Sequence, residues 1–163
     1  VSAGSKAWDF VVGRHGEPGV EAACLALQDA HDQCVALLMW RAWTLGEGLR
    51  VTPGQLEQAV ETTRIWNGEV IAPLRAVRRR AGRPLPGLDE AGRRRLRQGL
   101  LEQELAGERA LIEALAALVP AAPTAAGPGP DRPAASHIEA LAETARLWGG
   151  SAPDDLLAKL AGD

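Results

Sequence analysis

The residue types best suited to chemistry stand close together in one stretch, Glu17–Leu45. It holds both cysteines, Cys24 and Cys34, with His31 between them, and the only methionine, Met39. A soft divalent metal takes four such ligands in a structural site, or three and a water in a catalytic one. Cys24 and His31 fall on one face of a helix and Cys34 opens the next, but no fourth ligand is evident and neither cysteine belongs to a C-x-x-C pair. Two core thiols and a histidine at a helix C-terminus account for the same residues. A Cys–His nucleophile needs an exposed thiolate held by a base and an orienting third group. Cys34 instead leads into Val-Ala-Leu-Leu-Met, a core address. No catalytic residue and no cofactor is expected.

Charge supplies the second candidate. Nine arginines lie between Arg75 and Arg97, against Asp89 and Glu90. The segment therefore carries +7, and the remaining residues −10, in a chain of net charge −3. Arg78–Arg80 close one predicted helix and Arg93–Arg95 open the next, so a helix hairpin brings both sets to one end. Such a cluster can stay solvated, receive the acidic tail residues Glu139, Glu143, Asp154 and Asp155, meet an acidic protein, or contact nucleic-acid phosphates. Aromatic interleaving and a recognised nucleic-acid motif are both missing. Trp66 sits in a polar stretch, Arg64–Glu69, and is the tryptophan expected to face a partner. Trp8, Trp40, Trp43 and Trp66 can also frame a planar ligand, although aromatics at helical spacing are more often core. The partner-binding candidates are Trp66, Arg75, Arg78, Arg79, Arg80, Arg94 and Arg95; the ligand or metal candidates are Cys24, His31 and Cys34.

The elements that must position these residues read as helices. The chain has 163 residues, 46% of them hydrophobic, with five Trp, one Phe and no Tyr. That is enough to bury a core made mostly of Leu, Ala and Val. Residues 1–6 read as a lead-in and Ala7–Arg14 as two helical turns. Apolar residues from Val20 to Ala30 recur at three- and four-residue steps. Asp32 is expected to N-cap a third helix, apolar nearly all round and so central. Thr52-Pro53-Gly54-Gln55 is a capping box, opening a helix that runs to about Arg80 with Leu56, Val60, Thr63, Asn67, Val70, Leu74 and Val77 on its inner face. A turn at Arg83–Gly87 leads to a second long helix from about Asp89. The fold class is all-α: a helical bundle over residues 7–119 with a long antiparallel helix hairpin, a Pro/Ala/Gly-rich linker over 120–135, and a tethered C-terminal helix pair over 136–163, opened by a second capping box at Ser136–Glu139. No apolar run approaches the roughly 18 residues that span a bilayer, so no membrane partner is expected. Two cysteines without a signal peptide point to reduced thiols in the cytoplasm.

Trp8-Asp9-Phe10, Pro18-Gly19-Val20, Ala23-Cys24-Leu25-Ala26-Leu27-Gln28-Asp29 and Pro73-Leu74-Arg75-Ala76-Val77-Arg78-Arg79 together resemble a small family of uncharacterised bacterial conserved hypothetical proteins. The resemblance covers roughly residues 8–118 and implies an organisation, without an activity. The function expected from these residues is a non-enzymatic cytoplasmic interaction or adaptor module with an unidentified, acidic protein partner. A regulatory nucleic-acid binder using the same arginines is the alternative. A metal- or small-molecule-binding bundle comes third, and homodimer formation through the linker or hairpin stays open.

Overall fold

The computed structural model describes residues 2–119 and 134–162. They form an all-α bundle: α1 (Ala3–His15), α2 (Val20–His31), α3 (Val35–Gly46), α4 (Pro53–Trp66), a π-helical segment (Asn67–Ile71), α5 (Ala72–Ala81), α6 (Glu90–Ala117), α7 (Ala134–Trp148) and α8 (Asp154–Ala161). Among the described residues the only β feature is an isolated Leu85–Leu88 bridge.

α3 is the axis. Leu37 through Leu45 are all buried, and α1, α2, α4, α6, α7 and α8 all pack on it. A helix this apolar has no face to give to water, so the others must surround it. α1 starts earlier than the expected lead-in allows, because the Ser2 hydroxyl accepts a bond from Ser5 N–H at 3.1 Å and caps it. Gly4 then lies against α6, where a Cβ would come within 3.0–3.2 Å of Glu113. The missing side chain lets the two helices close.

Asp32 does not N-cap α3. It ends α2 in the left-handed region, φ 51°, a conformation that Asp tolerates better than most residues. α3 starts instead after Cys34, with no side-chain cap. The capping box at Thr52 is complete: Gln55 N–H donates to Thr52 Oγ1 at 3.2 Å, and Thr52 N–H to Gln55 Oε1 at 2.8 Å. Ser136 lies inside the first turn of α7 and does not mark its start. Residues 120–133, most of the expected linker, lie outside the described residues.

The long helix from Pro53 is not a uniform α-rod. Between Asn67 and Ile71 it takes a π turn, which holds one residue more than an α turn and advances every later side chain by one position. Upstream, Leu56, Val60 and Thr63 are buried as the periodicity predicts. Downstream, the inner face passes from Val70 to Ile71, from Leu74 to Arg75 and from Val77 to Arg78. Ile71 is buried, whereas Val70 and Val77 are exposed. This single slip turns two arginines toward α6.

α7 and α8 share the core of the rest. Leu141, Ala145, Leu157 and Leu160 are fully buried in the same cluster as Trp40, Leu37 and Leu27. Their junction is tied to the α2–α3 turn and to α4. Trp148 Nε1 donates to the Asp32 carbonyl at 2.9 Å, and Gln33 Nε2 to the Gly149 carbonyl at 3.2 Å. Arg64 Nη2 donates to the Leu147 and Trp148 carbonyls at 3.0 Å each. A cation on the last carbonyls of α7 also suits the helix dipole.

Candidate functional site

The arginines divide into two populations. Arg75 and Arg78 face inward and are consumed by α6. Arg75 Nε reaches Glu104 Oε1 at 2.7 Å, Arg78 Nε reaches Glu104 Oε2 at 2.6 Å, and Arg75 Nη2 reaches Glu108 Oε1 at 3.0 Å. Glu104's side chain is only 5% exposed, and both its oxygens are engaged. Burial works to raise its carboxyl, but the hydrogen bonds from Arg78 and Arg75 hold it below the ordinary carboxylate range. The same bond, acting against burial, raises the Arg78 guanidinium further. These two arginines therefore bind α5 to α6.

The second population faces water. Arg79 makes one exposed bridge, to Asp29 of α2 at 3.2 Å. Arg80 Nη1 donates to the Pro84 carbonyl at 3.3 Å, and Arg94 pairs with Glu90 one turn back. Arg83, Arg95 and Arg97 are exposed beside them. Exposed pairs of this kind contribute about 0–1 kcal/mol, so these side chains can be given up to a partner. α5 packs mainly on α6 and the π segment, and Arg79 is the side chain that ties it to α2. Val77, Leu88 and Leu96 lie exposed among the arginines. Trp66 is only half-buried and packs against the core from the end of α4, so it does not belong to the tip.

Between α2 and the α5–α6 pair lies a groove of about 660 Å³. Cys34, Val35 and Met39, at the start of α3, line it, as do Trp8 and Trp148. The Arg79–Asp29 bridge links the two helices that flank it. Cys24 and Cys34 both line the groove, but His31 does not. Among the described residues no three His, Cys, Asp or Glu side chains are arranged to hold a metal. Both thiols are free. Burial, with help from Glu108 and Glu21, pushes Cys24 up to about 12. Burial pushes Cys34 up to about 11, against hydrogen bonds from the Leu37 and Ala36 backbone. Burial thus favours the thiol over the thiolate at both positions. His15, on the groove's rim, is lowered by burial, with Glu21 acting the other way.

Glu104 and Glu108 were not among the residues the sequence singled out. Two acids four apart on a leucine-rich helix are a signal, but pairing them with Arg75 and Arg78 requires the π slip. Gln33 carries no sequence signal of its own: it is 3% exposed, and its Nε2 bridges the His31 and Gly149 carbonyls.

A family model described as Protein of unknown function (DUF2390) matches residues 6–115. No curated protein and no solved structure matches the chain.

Proposed function

The chain belongs to the DUF2390 family, whose function is unknown, and from its own surface we propose that it is a non-enzymatic, cytoplasmic interaction module that docks an acidic protein. The observation that carries this reading is the hairpin tip, where Arg79, Arg80, Arg83, Arg94 and Arg95 are exposed around Leu88 and Leu96. Arginine ringed on small apolar patches is the composition that protein interfaces favour. Of the residues expected at this contact, Arg75 and Arg78 are paired with Glu104 and Glu108 of α6 and Trp66 packs against the core, so the proposed contact rests on the exposed arginines. No helix among the described residues is long and apolar enough to cross a membrane.

The test is a quadruple reversal, Arg79→Glu, Arg80→Glu, Arg94→Glu and Arg95→Glu. All four positions are exposed, so the melt should stay close to wild type. Binding of a fluorescent Glu- and Leu-rich peptide, followed by anisotropy, should vanish with it. If a duplex oligonucleotide binds the wild type more tightly than the peptide, with a steep loss on raising salt, the arginines serve nucleic acid instead.

A further inference from the structure

The groove between α2 and the α5–α6 pair is a different surface from the tip, and nothing in the tip reading uses it. Its size, about 660 Å³, falls within the range of small-molecule sites. Leu25, Leu101 and Leu105 form apolar walls near its mouth, and Leu25 and Leu105 are 54% and 45% exposed. The polar groups gather on the α5–α6 side, and their pairing is unequal. Glu104 spends both oxygens on Arg75 and Arg78. Glu108 receives one bond, from Arg75 Nη2 to Oε1, and its other oxygen has no hydrogen-bond partner among the described residues. Its side chain is 28% exposed, so it can be reached from the groove.

We propose that this groove binds a small organic amine, with the ammonium received by Glu108 and the apolar body lying on Leu25, Leu101 and Leu105. Charge complementarity selects the cation. The lining carries Glu21, Asp32, Glu104 and Glu108 against Arg75 and Arg78, with His15 lowered by burial. An anion placed on the two guanidiniums would sit against Glu104 and Glu108, and drawing either arginine away would strand a buried carboxylate. An ammonium instead supplies the second donor that Glu108 lacks, in a site where a charge-assisted bond is stronger than in water. Burial raises the Glu108 carboxyl, Arg75 acts against it and Glu104 adds to it, so a further cation beside Glu108 would favour its charged form. Trp8 and Trp148 line the same space, so occupancy has a built-in fluorescent readout.

The experiment compares three probes of one chain length, hexylamine, hexan-1-ol and hexanoate, by calorimetry and tryptophan fluorescence on the full chain. Hexylamine should saturate and bind about tenfold or more tighter than hexanol. Glu108→Gln should erase that preference while leaving hexanol binding as it was. Leu25→Trp, at an exposed position that does not disturb the core, should block the amine without touching Glu108, so the proposal stays testable even if Glu108→Gln folds poorly. Tighter binding of hexanoate, equal affinity for amine and alcohol, no saturation by hexylamine up to about 10 mM, or unchanged amine binding in Leu25→Trp would each overturn it.

Discussion

Two glutamates one turn apart on α6 behave oppositely because burial raises both, and the two arginines on Glu104 outweigh it whereas the single bond to Glu108 does not. Glu104 holds two arginines and has its carboxyl lowered; Glu108 holds half of one and has its carboxyl raised. A lowered carboxyl stabilises the fold above the ordinary glutamate range and loses that contribution as pH falls through its lowered value. A raised carboxyl does the reverse: its contribution is present at low pH and is lost as pH rises through its raised value. Glu104→Gln should therefore cost about 3 kcal/mol at neutral pH, where it leaves two partly buried arginines short of charge. That deficit should shrink on acidification. Glu108→Gln should melt at or above the wild-type temperature near neutrality and converge on it near about pH 4. Thermal melts of the three proteins across that range decide the matter, and parallel deficits for both variants would show that the carboxylates are equivalent.

At the scale of the element, the π segment governs what the sequence discloses. The run of α3 was legible as the central helix because only Arg41 and Thr44 interrupt its apolar residues from Leu37 to Leu45, and all nine are buried. The Thr52 capping box was legible because its bonds are local. The downstream face was not. A three/four rhythm continued through Asn67 assigns Val70 and Val77 to the core, and the extra residue of the π turn hands that face to Ile71, Arg75 and Arg78. The arginine cluster was visible in composition, but its division into a structural pair and an exposed tip depended on this phase. The groove was not legible at all, since it exists only where α2 and the hairpin stand apart in three dimensions. A π turn accommodates one added residue, so removing one there should restore an α-helix without rotating α5. Gly68 is exposed and no side chain or backbone lies near its Cβ position. Deleting it should preserve a cooperative melt, with the Arg75 and Arg78 pairs intact, and the melting temperature should stay within a few degrees of wild type. Collapse of the melt would mean that the bulge is required by its own contacts, with Asn67 at the groove's edge the first to suspect.

Across the whole molecule, the family match ends at residue 115, yet the core does not. α7 and α8 place Leu141, Leu157 and Leu160 at zero exposure against α2 and α3. Fully burying a leucine is worth about 1.5–3 kcal/mol, so these three alone contribute on the order of 5 kcal/mol or more, before reduction for a compact unfolded chain. A domain of this size is stable by only about 5–15 kcal/mol in total. The C-terminal helices are too small to hold a core by themselves, and α3 without them would expose part of an almost wholly apolar surface. The bonds from Trp148, Gln33 and Arg64 fix the α7–α8 junction at the α2–α3 turn, and Trp148 also forms part of the groove wall. A chain ending at Val119 should therefore unfold at a much lower urea concentration than the full chain, or fail to stay in solution, and hexylamine should no longer find a complete site. Trp148→Ala, which cuts one bond and one wall while keeping all three leucines, should weaken the amine far more than it lowers the urea midpoint. A truncated chain with an unchanged midpoint would instead make α7 and α8 a removable cover on a bundle already complete without them.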